Sequence, residues 1–89
     1  MTRAKYEIEF TTSAARTLRK LERPAQVRIA HAIDSLANDP RSRGAVKLSG
    51  DDDFYRIRTG DYRIIYSIAD DKLIVLIIAL GHRRDIYRR

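Results

Sequence analysis

The sequence predicts an α+β domain of order β-α-α-β-β-β, with a helical hairpin packed on one face of a four-stranded antiparallel sheet. Three observations carry this. Apolar residues alternate over residues 5–11, recur at helical spacing between 12 and 38, and return to strand patterning from 54 onward. Turn signals separate the last three strands, so they pair as neighbours and leave the helices to cover one side of the sheet.

In the first segment Tyr6, Ile8 and Phe10 share one face, and Lys5, Glu7 and Glu9 the other. Thr11, Thr12 and Ser13 offer N-cap oxygens to a helix that runs to about Glu22, with Ala14, Leu18 and Leu21 on its apolar face. Pro24 suits the first turn of a second helix. Ala25, Ile29, Ile33 and Leu36 form its buried stripe, and Asn38-Asp39-Pro40 ends it. Residues 41–53 read as a loop from which Val46 and Leu48 dip into the core. Strands are expected at about 54–58, 61–69 and 72–80. The last, LIVLIIAL, is apolar on both faces, so it is expected to be covered on both sides over part of its length. The expected core comprises Ile8, Phe10, Leu18, Leu21, Ile29, Ile33, Leu36, Ile57, Tyr62, Ile64 and Val75.

At 89 residues the chain is read as one domain spanning 1–89. It contains no cysteine, which excludes a disulfide framework, a thiolate nucleophile and a cysteine-based zinc site. Its two histidines, His31 and His82, are too far apart in sequence to read as a metal site, and no metal or other cofactor is expected. Asp51-Asp52-Asp53 reads as a solvated turn, and His31 as a surface residue. The opening MTRAKYEIEF carries no apolar signal-peptide core, and no apolar run reaches the length of a membrane span. A cytoplasmic location without membrane contact is the expectation.

Charge is more informative. The formal net charge is +6, and of eighteen cations only Lys5, Lys20, Lys47 and Lys72 are lysine, leaving fourteen arginines. Arginine grips phosphate through a planar bidentate fork and stacks on bases, so a basic arginine-rich chain of this size points to a polyanionic partner. A two-residue turn at Thr59-Gly60 would place Arg56 directly opposite Arg63, with Arg58 on the same face and Tyr55, Ile57, Tyr62 and Ile64 on the helix side. Like charges opposed on a sheet are destabilising unless they splay into water or share an anion. A turn at Asp70-Asp71 would set residue 63 opposite residue 78. The final strand would then deliver Gly81, His82, Arg83 and Arg84 beside the arginine pair, with Tyr87, Arg88 and Arg89 following. Such a site suits a phosphodiester with a base stacked on Tyr87 or Phe54.

The ordered segments TTSAARTLRKL, NDP, KLSG, FYRIRTGDYRIIYSI and GHRRDIYRR span nearly the whole chain, and together they resemble the RelE branch of the RelE/ParE toxin superfamily. The resemblance implies a microbial-ribonuclease-like fold. It also implies a type II toxin that cuts mRNA in the ribosomal A site by attack of a ribose 2′-OH on the adjacent phosphate, without a metal. The resemblance implies Arg63, Arg83 and Tyr87 as catalytic residues, with Arg56 and Arg58 lining the site to bind RNA. This chain's own residues add His82 as a catalytic candidate and Arg84 and Arg88 as further contacts to the RNA backbone. The implied partners are a cognate antitoxin, a small acidic protein encoded nearby, together with mRNA and the ribosome. Some members carry lysines where this chain has Arg56 and Arg58. Arginine does not deprotonate under ordinary conditions, so proton transfer would fall to His82, whose side-chain type ordinarily titrates near ~6.5, or to Tyr87. The alternatives are a ParE-like toxin that binds DNA gyrase without cleaving RNA, or a non-catalytic antitoxin- or RNA-binding module.

Overall fold

The computed structural model describes residues 5–48 and 54–82. They form β1 (Glu7–Phe10), α1 (Thr12–Lys20), α2 (Arg23–Asn38), β2 (Val46–Lys47), β3 (Phe54–Thr59), β4 (Tyr62–Ala69) and β5 (Ile74–His82). The α+β class and the helical hairpin are as the patterning predicts. The sheet differs in two respects. It has five strands in the order β1-β5-β4-β3-β2, and β1 runs parallel to β5 while all other pairs are antiparallel. The extra strand is a two-residue rung at the edge, with Val46 opposite Arg56 and Lys47 opposite Tyr55. Val46 therefore lies on the face away from the helices and is exposed, not in the core, whereas Leu48 is half-buried. The parallel pair arises because the helical hairpin carries the chain over the sheet before β2 begins. β5, the most apolar strand, takes the interior position between β1 and β4.

Thr11 organises the start of α1. Its Oγ1 accepts from the Ala14 amide at 3.1 Å and donates to the Ile78 carbonyl at 3.0 Å, joining a helix N-cap to the sheet. Ile78 is the extra residue of a β-bulge: Tyr66 faces Ile77, and the next rung pairs Ile65 with Ala79. At the other end of α1, Gln26 Nε2 donates to the carbonyls of Leu18 and Arg19, closing the interhelical turn.

The core lies between the helices and one face of the sheet. Ala14, Ile29, Ile33 and Leu36 meet Ile57, Ile64, Tyr66, Ile68, Val75, Ile77 and Leu80. Of the expected core residues, Ile29, Ile33, Leu36, Ile57, Ile64 and Val75 are buried, while Ile8, Leu18, Leu21 and Tyr62 are half-buried. Phe10 is exposed at the end of the short β1. Tyr66 is fully buried and donates its hydroxyl to the Pro40 carbonyl at 2.6 Å, which ties the end of α2 to the sheet. Among the described residues no helix is long and apolar enough to cross a membrane.

Candidate functional site

The β3–β4 connection sets the site. Thr59 pairs with Tyr62, so the turn is Gly60-Asp61 and not Thr59-Gly60. Gly60 takes φ +62°, a conformation that favours glycine and places it first in the turn, as a type II′ hairpin requires. Moving the turn by one residue changes each cross-strand partner by two positions, which preserves the face of every side chain. Arg56, Arg58 and Arg63 therefore share the helix-free face as expected, but the residue opposite Arg63 is Arg58, and Arg56 lies opposite Ile65.

Arg58 is exposed and Arg63 half-buried. The Nε atoms of Arg56 and Arg63 are themselves buried. Arg56 is bordered on its two sides by Val46 and Ile65, so its methylene stem runs beside apolar neighbours. The arginine end of this face thus has one exposed and two partly sheltered guanidinium groups. Partial shelter strengthens electrostatic attraction to a bound anion relative to a fully solvated cation.

Two departures shift the other half of the site. Ala69 pairs with Ile74, so the β4–β5 turn spans residues 70–73 and not Asp70-Asp71, which moves each partner by two positions, and the β5 bulge adds one more. Arg63 faces Gly81 and not Ile78, and Tyr62 faces His82. Among the described residues β5 thus ends beside Arg63 and Tyr62. The His82 side chain, however, falls on the Tyr62 side, which is the helix side of the sheet. The two rings meet edge-to-face with centroids 5.8 Å apart. His82 and the arginine pair are brought to the same end of the sheet but to opposite faces. Phe54 is exposed on the arginine face, at the far end of β3 from the turn. Arg83, Arg84, Tyr87, Arg88 and the Asp51-Asp52-Asp53 turn lie outside the described residues.

One cation of this end was not singled out from the sequence. Arg28 is exposed on α2, three residues after buried Ala25 and four before half-buried Ala32. Its guanidinium lies against the Gly60 turn, so close that a Cβ on Gly60 would sit 2.8 Å from Nη1. The available signal was its place at the margin of the buried helical stripe, where a long side chain can reach past the core.

The opposite end of the sheet holds a different cluster. Arg41 donates to both Asp70 oxygens at 3.0 and 2.8 Å and to the Tyr55 hydroxyl at 3.1 Å, and Tyr6 donates to Asp70 at 2.7 Å. The Arg41 guanidinium also lies 5.5 Å from the centroid of the Tyr55 ring. Hydrogen bonds from Arg41 and Tyr6 hold Asp70 down to about 2, and the Asp70 carboxylate in turn raises Tyr6. This is a clamp between the post-α2 loop, the β4–β5 turn and the start of β1, remote from the arginine pair.

Fold and geometry together define a small α+β protein that presents a cluster of guanidinium groups at one end of a helix-free sheet face. Comparison with known proteins places it more closely. Residues 8–87 match the family described as the ParE toxin of the type II toxin–antitoxin system parDE. The chain is 36% identical over 88 residues to Toxin RelG of Mycobacterium tuberculosis, covering 94% of this chain and 98% of that protein. It is 31% identical over 80 residues to the mRNA interferase toxin RelE of Escherichia coli, covering 88% and 83%. In structure it is similar to a chain of the toxin–antitoxin complex RelBE2 of M. tuberculosis, with a TM-score of 0.81, 29% identity, and 94% and 98% of the two chains covered. The isolated E. coli RelE toxin matches with a TM-score of 0.78 and 28% identity, over 92% and 90%. The chain belongs to the RelE/ParE toxin superfamily and is a RelE-like toxin of the type II toxin–antitoxin class.

Proposed function

We propose that this toxin is a ribosome-dependent endoribonuclease that cuts mRNA, and that Arg58 and Arg63 hold the scissile phosphate. The observation that carries the reading is the direct opposition of these two arginines on the helix-free face, beside the point where β5 ends. Two guanidinium groups so placed can grip one anion together. In the reaction a ribose 2′-oxygen forms a bond to the adjacent phosphorus as its proton is removed. The bond from phosphorus to the 5′-oxygen breaks, and that oxygen takes up a proton. Charge accumulates on the phosphoryl oxygens, where guanidinium groups stabilise it without a metal. Arg56 supplies further charge on the same face. Arg83 follows His82 directly in sequence and joins the phosphate cluster in this reading, with Arg84 and Arg88 on the flanking backbone and Tyr87 stacking a base or carrying a proton. His82 stands on the Tyr62 face of the same end, across the sheet from the arginine pair, so in this reading proton transfer at the phosphate falls to Tyr87.

The basic surface suits an acidic antitoxin that folds on binding. The RelBE2 relative is solved as a toxin–antitoxin complex, which supports a cognate antitoxin for this chain. The test is to add the purified toxin to translating ribosomes and map mRNA 5′ ends. Cuts that depend on the ribosome are the expected result, with naked RNA cut poorly because few groups are available for acid–base work. The match to the ParE family description favours one second reading, inhibition of DNA gyrase. Loss of DNA supercoiling with intact mRNA would establish that reading instead.

A further inference from the structure

We propose that Arg28 forms a flanking phosphate subsite on the helix side of the β3–β4 tip, so that bound RNA crosses the Gly60 turn between two cationic contacts. This inference rests on the ribonuclease reading above.

The geometry is specific to the tip. Arg58 and Arg63 approach the turn from the helix-free face, while Arg28 approaches from the helix face and lies over Gly60. Tyr62 and His82 stand on that same side. Among the described residues Arg28 forms no ion pair, and its side chain is exposed. The nearest residue to offer a carboxylate from the turn itself is Asp61, which is exposed. A glycine at position 60 leaves room for the Arg28 guanidinium beside the turn, where a Cβ would meet its Nη1 at 2.8 Å. Three arginines from three elements therefore ring one two-residue turn.

A single bound phosphate does not need cations on both faces of a sheet. A polyanion does, because successive phosphates of a strand passing over the tip reach the two sides in turn. The arginine pair would hold the scissile phosphate and Arg28 a neighbouring one. The ligand is an RNA phosphate, with mRNA and ribosomal RNA as its two sources.

The test compares the wild-type toxin with Arg28→Gln and Arg28→Lys on mRNA-programmed ribosomes between 50 and 200 mM salt, a range of about fourfold over which phosphate contacts are strongly screened. Arg28→Gln is expected to raise KM severalfold with kcat little changed, and to lower the slope of log KM against log salt by about 0.7 to 1. Arg28→Lys should restore most of that slope. Arg43→Gln, in the loop clamped through Arg41 at the other end of the sheet, should leave both unchanged. Repeating the comparison with mRNAs truncated just beyond the A-site codon assigns the source. An effect that disappears assigns the contact to an mRNA phosphate 3′ of the codon, and one that persists assigns it to ribosomal RNA or to mRNA within or before the codon. If wild type cuts mRNA and Arg28→Gln matches it in KM and salt slope, the subsite is wrong and the ribonuclease reading stands. A salt-independent loss that lysine does not rescue also overturns the subsite. If wild type does not cut mRNA, both inferences fall.

Discussion

Arg58 and Arg63 stand directly opposite each other on adjacent antiparallel strands, on the face of the sheet that the helices leave uncovered. Opposed side chains on such strands have Cβ atoms only ~5 Å apart, and like charges there are destabilising. Arg58→Gln is expected to lower ribosome-dependent cleavage with little change in thermal unfolding, because Arg58 is exposed, read by mRNA 5′-end mapping and by thermal unfolding on the same preparation.

Arg63→Ala should cost on the order of 100-fold in cleavage rate, the usual loss on removing one donor to a developing oxyanion, and leave the circular dichroism spectrum unchanged. Because Arg58 and Arg63 would grip one anion, the double variant should lose less than the product of the single losses. Arg56→Ala should cost less than either, since Arg56 faces Ile65 rather than another cation. Full activity in Arg63→Ala would remove the phosphate assignment.

Tyr66 offers a test of the framework behind the site. Its buried hydroxyl donates to the Pro40 carbonyl, and burial pushes its phenol up to about 12. Tyr66→Phe keeps the ring but abandons the carbonyl, and should cost about 1–3 kcal/mol in denaturant unfolding. A phenol whose folded value is raised binds its proton more tightly in the folded state. Its contribution is complete below the ordinary tyrosine value near ~10 and is lost as pH rises towards the folded one. Wild type should therefore lose stability between about pH 10 and 12, a loss that Tyr66→Phe should reduce.

The faces of the strands were legible in the sequence, but their partners were not. Alternation fixes parity, and parity survives a one-residue error in the turn, so Arg56, Arg58 and Arg63 were assigned to one face although Arg58, not Arg56, meets Arg63. The β5 bulge is different. One inserted residue at Ile78 reverses parity beyond it, which moves His82 to the Tyr62 side. No turn signal marks a bulge inside LIVLIIAL, because Ile78 is as apolar as its neighbours. The parallel β1–β5 pairing was equally hidden, since a strand pattern does not reveal which neighbour it joins across a helical connection. Arg28 was overlooked because its role comes from reaching over Gly60, a contact between segments some thirty residues apart.

Gly60 makes a prediction of its own. At φ +62° an alanine is strained by about 1–2 kcal/mol, and its Cβ would also displace the flexible end of Arg28. Gly60→Ala should destabilise the protein to a similar extent in wild type and in Arg28→Gln, because a mobile guanidinium moves aside at little cost. Its effect on KM should be large only when Arg28 is present. Equal KM changes in both backgrounds would show that the turn, and not the arginine resting on it, governs binding.

The clamp at the other end of the sheet predicts acid sensitivity. Asp70 is held down to about 2 first by the hydrogen bond from Arg41 and then by the one from Tyr6. A carboxylate with a depressed folded value contributes stability above its unfolded value near 3.8. That contribution is lost as pH falls through the folded value. The effect belongs to the window from about pH 4 down to 2, and salt should weaken it, because both partners are partly exposed. Unfolding midpoints measured across that window should fall more steeply for wild type than for Asp70→Asn. The same variant should also lower the Tyr6 phenol towards its ordinary value, since the carboxylate raises it. Ribosome-dependent cleavage near neutral pH should barely change, as the clamp lies at the opposite end of β3 and β4 from Arg58 and Arg63. A large loss of activity in Asp70→Asn with the fold intact would show that the two ends of the sheet are coupled.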